Sequence, residues 1–156
     1  LAKHWSSSNC EGWDYSNEAL ITADTNASIL ELDNVNWNRQ NALSPPEEDR
    51  SIWDIIVSNP PYILKEESEH LDKNVKEFEP SMALFVQNED PLQFYVAIAD
   101  YALKALKPGK PLYFECHESH AKEVLQMLEN KGFNDVELKN DLQGKPRMVR
   151  CIRKSD

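Results

Sequence analysis

The stretch IWDIIVSNPPYILKEE, residues 52–67, sets a run of apolar residues directly against Asn59, Pro60, Pro61 and Tyr62. From average residue usage, the order Asn-Pro-Pro-Tyr arises by chance in roughly one chain in two thousand of this length. Proline and asparagine do end strands, because proline cannot donate to a ladder and asparagine favours turns. A strand terminator does not need this order followed by an aromatic ring. Consecutive prolines fix φ at two positions and remove two N–H donors, so carbonyls there can face a cleft as acceptors. Asn59 adds a side-chain acceptor, and Tyr62 adds a ring face for stacking a planar group. Together they make a cradle for a flat amino group. The nitrogen lone pair of an amide or aromatic amine is delocalised, and two acceptors pulling on its N–H bonds favour pyramidalisation and free it for alkylation. Positioning of this kind can lower a barrier by up to about 7–11 kcal/mol. It requires neither a metal nor a general base before attack.

The elements that must carry this cradle alternate along the chain. Strands are predicted over 10–14, 35–40, 52–58, 111–116, near 135–140 and over 147–153, with helices between them, which is the pattern of an α/β layer architecture. WDIIVS is apolar on both faces and is expected mid-sheet. Ser16 is the expected cap of a helix with Leu20, Ala23, Ala27 and Leu30 on one stripe. Pro91 opens a second helix with Phe94, Ile98, Tyr101, Ala102 and Ala105 facing the core, stopped by KPG at 107–109. A third starts at Ser119 and ends at Gly132. SPPEEDR at 44–50 reads as a polar loop. The stretch from Pro60 to Asp90 has weak periodicity, with room for a short helix in EESEHLDKNVKEF, and loops that long usually bind or cover something.

Composition narrows the class. With 156 residues, 40% hydrophobic and 28% charged, the chain fits one domain with a real core. It has no apolar run of about 18 residues and no signal-peptide pattern in LAKHWSSSNC, so the expectation is a cytoplasmic protein without membrane association. The 27 acidic against 17 basic residues give a net charge of −10 and leave no basic stripe, which disfavours nucleic acid as a partner. Cys10, Cys116 and Cys151 are too far apart for a zinc-type pair and too few for a disulfide framework. His117 and His120 in ECHESH lack further ligands at metal spacing.

SNPPYI after the fourth strand of such a sheet resembles the motif of S-adenosylmethionine-dependent amino-methyltransferases, shared by adenine-N6 DNA enzymes and glutamine-N5 protein enzymes. VKEFEPSMALF, PLQFYVAIADYALKALKPG, LYFE and DLQGKPRMV are similar to the segments downstream of NPPY in the HemK/PrmC family, the release factor glutamine methyltransferases. The resemblance implies a Rossmann-like class I S-adenosylmethionine-dependent methyltransferase fold, S-adenosylmethionine as cofactor, and a peptide chain release factor as substrate, methylated at the glutamine of its Gly-Gly-Gln motif. Asn59 and Pro60 would accept from the glutamine amide, and Pro61 and Tyr62 would complete the pocket. Asp14 matches the acidic residue that binds the cofactor ribose. Asn41 and Ala42 fall where the family has an aspartate facing adenine and, often, an aromatic neighbour, so both depart from its pattern. Glu79 and Arg147 match an EP pair and the arginine of a closing D-L-x-G-x-x-R stretch, read as positioning or structural groups.

The family also carries a Gly-rich turn after its first strand that cradles the methionine end of the cofactor. Here the four glycines, Gly12, Gly109, Gly132 and Gly144, form no such cluster. Residues 1–156 therefore read as a partial methyltransferase domain, truncated before the first strand and lacking the N-terminal helical domain. The first strand lies between the second and fourth in that family, so its loss leaves a gap mid-sheet. Two further functions stay open: an adenine-N6 nucleic-acid methyltransferase, and a non-catalytic domain derived from such enzymes.

Overall fold

Strands Cys10–Asp14 (β1) and Val35–Arg39 (β2) pair in parallel around helix Asn17–Ile29 (α1) in a computed structural model that describes residues 1–47, 51–61, 63–64, 85–86 and 90–155. The chain divides into two compact units, Leu1–Pro46 and Glu47–Asp156, and each is described by itself. In the first, β1 and β2 run in register from Cys10 opposite Val35 to Asp14 opposite Arg39. Ser16 caps α1 as expected, its Oγ accepting from the Ala19 N–H at 3.3 Å. Of the predicted stripe only Ala27 is buried; Leu20 and Ala23 are half-buried and Leu30 is exposed. The helix ends with Glu31 in the left-handed region at φ 53°, where the Glu31 N–H reaches Ser28 O and the Leu32 N–H reaches Ala27 O. Trp37 lays its indole over Gly12, its cross-strand partner.

The second unit is built on a four-stranded sheet. Ile56–Ser58 (β3) pairs in parallel with Pro111–Glu115 (β6), which pairs antiparallel with Pro146–Ile152 (β8), which pairs antiparallel with Asn134–Asn140 (β7). The two-residue strands Ile63–Leu64 (β4) and Phe85–Val86 (β5) form a separate parallel pair. Helices Gln93–Ala105 (α2) and Ala121–Asn130 (α3) supply the rest of the core: Tyr95, Ala99, Ala102, Val124 and Leu128 close on Leu112, Phe114, Val149 and Cys151. Tyr95 and Phe114 meet edge to face with ring centroids 5.2 Å apart.

Three expectations shift. Residues 52–58 pair regularly only over Ile56–Ser58, Trp53 making an isolated bridge to Leu106. Among the described residues β3 ends the sheet order instead of lying inside it, and Val57 is 57% exposed. Its two apolar faces describe a strand with cover on both sides, but only Trp53 and Ile56 of this stretch pack on the core. In α2, Pro91 sits in a turn before the helix; of the predicted stripe Tyr101, Ala102 and Ala105 are buried as expected, whereas Phe94 and Ile98 are half-buried and Tyr95 and Ala99 are buried in their place. His120 takes the position before α3, because Ser119 is engaged by His117 instead. The possible helix in EESEHLDKNVKEF, residues 66–78, lies outside the described residues. Among those described, no helix is long and apolar enough to cross a membrane.

Candidate active site

The predicted site residues fall in both units. At the carboxyl ends of β1 and β2, Asp14 is exposed, with Oδ1 accepting the Ser16 N–H at 2.7 Å. Its second oxygen keeps its acceptor capacity, which suits a vicinal diol. The Gln40 N–H donates to Asp14 O at 3.0 Å, so the two strand ends are tied together. Asn41 is half-buried and spends its side-chain oxygen on its own turn, accepting from the Leu43 N–H at 3.0 Å while the Ser44 N–H donates to Asn41 O at 3.0 Å. That leaves its Nδ2 as a donor where an aspartate would accept. Ala42 is half-buried in the same turn.

In the second unit, Asn59, Pro60 and Pro61 leave the carboxyl end of β3. Asn59 is exposed, Pro60 buried and Pro61 half-buried. A buried proline anchors the turn through its ring and brings no N–H needing a partner, so the exposed asparagine amide stands on a fixed base. Tyr62 lies outside the described residues, as do Glu79 and Pro80.

Because β3 and β6 are parallel, with Ser58 opposite Phe114, the chain also leaves β6 at this edge, through Cys116 and His117. Cys116 is buried, and loss of water pushes its thiol up to about 11, so it is no nucleophile near neutral pH. The His117 Nδ1 lies 2.6 Å from Ser119 Oγ, and His120 Nδ1 lies 2.8 Å from Glu123 Oε2. Among the described residues, no three His, Cys, Asp or Glu side chains converge as a metal site would need.

The D-L-Q-G-K-P-R stretch explains Arg147. Asp141 Oδ1 accepts from the N–H groups of Gln143 at 2.9 Å and Lys145 at 3.0 Å, while Arg147 Nε lies 3.6 Å from Asp141 Oδ2. These donors and the guanidinium hold the Asp141 carboxyl below the usual aspartate range, the Lys145 N–H first among them. Arg147 O accepts from the Cys116 N–H at 2.8 Å, and Lys145 Nζ reaches Glu118 Oε1 at 2.9 Å. The β7–β8 hairpin thus braces the segment after β6. Sequence reading missed the Glu118–Lys145 tie, although Asp followed by Gly-Lys at a strand end is an Asx-turn signal.

No protein-family model matches the chain. It is 37% identical over 153 residues to the release factor glutamine methyltransferase of Bacteroides thetaiotaomicron, covering 98% of this chain and 55% of that protein. With the release factor glutamine methyltransferase of Flavobacterium psychrophilum the identity is 38% over 150 residues, covering 96% and 52%. A bifunctional methyltransferase of Rickettsia felis is 35% identical over 144 residues, covering 83% and 27%. The chain spans about half the length of the first two. Among solved structures, a methyltransferase from Pyrococcus furiosus superposes with a TM-score of 0.68 at 14% identity, covering 98% of this chain and 66% of that one. An O-methyltransferase from Thermotoga maritima does so at 0.67 and 13%, covering 97% and 52%. At those identities the likeness speaks for the fold, which is the Rossmann-like class I methyltransferase fold. Over nearly its whole length, the chain is similar in sequence to the release factor glutamine methyltransferases of the HemK/PrmC family.

Proposed function

We propose that residues 1–156 are the catalytic part of a longer S-adenosylmethionine-dependent enzyme that methylates the glutamine side-chain nitrogen in the Gly-Gly-Gln motif of peptide chain release factors. The observation that carries this reading is the turn Asn59-Pro60-Pro61 at the carboxyl end of a parallel strand, with the amide exposed and the first proline buried. Relatives matched over 98% and 96% of residues 1–156 bear the name of that activity. A strand outside residues 1–156 would pair with the outer edge of β3. Its support is the half-length match to the relatives and the single hydrogen-bonded neighbour of β3 among the described residues.

The chain's residues fit the cofactor in part. Asp14 suits the ribose hydroxyls, with one oxygen held by Ser16 and the other available. Asn41 offers adenine a donor from Nδ2, suited to a ring nitrogen and not to the amino group, and Ala42 contributes a small apolar wall. Bound S-adenosylmethionine supplies an electrophilic methyl group. Asn59 Oδ1 and the Pro60 carbonyl accept from the two N–H bonds of the substrate amide, Pro61 and Tyr62 complete the pocket, and the nitrogen sheds its proton during or after transfer.

In the longer protein, Asn59→Ala is expected to lower turnover by about 10²–10³, or about 2.7–4 kcal/mol, while cofactor affinity changes much less. Steady-state kinetics with a release factor and calorimetry with S-adenosylmethionine measure the two. Near-normal turnover would sink the assigned role.

A further inference from the structure

The substrate proposed above is a protein whose reacting glutamine follows two glycines. Glycine has no side chain to contact, so beside the target amide this motif offers the enzyme little but backbone, and affinity for the folded substrate has to come from surfaces further out. A standard protein interface takes about 800 Å² from each partner, a patch about 30 Å across. A release factor with its glutamine at Asn59 therefore covers whatever else stands at that edge of the sheet.

The β7–β8 hairpin stands there. Ser58 of β3 is opposite Phe114, while Glu115 is opposite Met148 and Met148 opposite Lys139, so Asn59 leaves β3 in the row of these three residues. From Lys139 the chain runs on through Asn140 and Asp141 to Leu142, which carries the tip up to about 10 Å beyond that row. In the order β3-β6-β8-β7 the hairpin lies two to three strand spacings from β3, or about 10–14 Å to the side. The tip is thus roughly 15 Å from Asn59, inside the patch that a bound protein would cover.

Hydrogen bonds to Asp141 make this tip rigid. The Asp141 N–H donates to Lys145 O at 2.8 Å, Asp141 O accepts from the Gly144 N–H at 3.0 Å, and Oδ1 accepts from the Gln143 and Lys145 N–H groups at 2.9 and 3.0 Å. Gly144 takes the left-handed conformation of the turn at φ 83°. Lys145 Nζ, 2.9 Å from Glu118 Oε1, ties the turn to the segment after β6. On this frame Leu142 is 107% exposed. An isolated leucine on a surface is ordinary. One held on an ordered turn beside the site can be taken out of water by a partner without the cost of ordering its backbone.

We infer that Leu142 anchors the release factor by inserting into an apolar depression on the body of that protein, away from the Gly-Gly-Gln motif. The inference rests on the function proposed above and makes the hairpin tip a docking surface for the folded substrate, with no part in the chemistry.

The test uses the longer protein with Leu142→Ala, Leu142→Met and Asn59→Ala, and two substrates: intact release factor and a short Gly-Gly-Gln peptide that cannot reach the tip. Leu142→Ala is expected to raise KM for the release factor about tenfold with kcat at saturation unchanged, and Leu142→Met to stay within about threefold of wild type. The peptide, followed as substrate or as competitor, should serve wild type and Leu142→Ala equally. The inference is overturned if Leu142→Ala stays within about twofold of wild type on the release factor while Asn59→Ala collapses, which leaves the proposed function standing. It is overturned too if Leu142→Ala lowers kcat or weakens the peptide as much as the protein, since the change then reaches the site itself. A lower sedimentation mass for free Leu142→Ala than for free wild type would show that the tip seats a second copy instead. If Asn59→Ala turns over normally, the proposed site is wrong and the inference falls with it.

Discussion

At the scale of single residues, the side chains with chemistry and those that hold them are different sets. Asn59 is exposed and Pro60 after it is buried, so the amide proposed to hold the substrate stands on prolines that have no N–H to donate. Gly12 has the opposite role. A Cβ there would overlap two ring carbons of Trp37, and Trp37 Nε1 is buried with no partner among the described residues. Only a glycine lets the indole cover the strand this closely. Gly12→Ala must push the ring aside, and the expected loss is about 1–3 kcal/mol, as for other overpacked positions. It should be read from hydrogen exchange of the β1 and β2 amides, which would speed up in the variant. Unchanged protection there would show that the ring has room to move.

At the scale of elements, two helices close with the same pair of hydrogen bonds and different residues. After α3, Gly132 at φ 89° donates to Glu129 O and Phe133 to Leu128 O; after α1, the same positions are Glu31 at φ 53° and Leu32. A side chain in the left-handed region costs about 1–2 kcal/mol, so Glu31→Gly is expected to stabilise and Gly132→Ala to destabilise by about 1 kcal/mol each. Urea midpoints moving in opposite directions would bear this out; movement the same way would not.

The β7–β8 hairpin has a pH dependence. The Asp141 carboxyl is held below its ordinary value by Lys145 and Gln143 N–H groups and by Arg147. A depressed folded-state value means stability that is present above the unfolded aspartate value, about 3.9, and is lost as pH falls through the lower folded one. Asp141→Asn keeps an acceptor and loses the charge, so its thermal midpoint should fall less steeply than wild type below about pH 4. Parallel curves would leave Asp141 without a share in acid unfolding.

At the scale of the molecule, burial is uneven. Every buried apolar side chain except Ala27 lies in the unit from Glu47 to Asp156, and Ile21 and Ile29 of α1 are 66% and 73% exposed. The charge is a property of the whole chain. With a net charge of −10, there is little to release counterions from a phosphate backbone. Proteins that read phosphates lose about 10³–10⁵ in affinity between about 50 and 200 mM salt, and duplex oligonucleotides are not expected to bind this chain at either. A steep salt slope in fluorescence anisotropy would revive the adenine-N6 reading.

What the sequence determined by itself were the features that depend on neighbours along the chain. β1 was legible residue for residue, the α1 cap at Ser16 followed from a serine before a periodic segment, and Gly132 marked the end of α3. Asn-Pro-Pro at a strand end, and with it the likeness to the family, was legible for the same reason, since both are matters of order and spacing. Tertiary structure decided whatever depends on partners far along the chain. Periodicity placed Tyr101, Ala102 and Ala105 of α2 in the interior, and tertiary packing decided that Tyr95 and Ala99 join them instead of Phe94 and Ile98. Two apolar faces on WDIIVS could not say that β3 has one neighbour among the described residues, because strand order is set by pairings across many residues. Nothing local marks Gly12 as the seat of Trp37 or Arg147 as the partner of Asp141. Each depends on parallel and antiparallel register, which brings together groups that the chain itself holds apart.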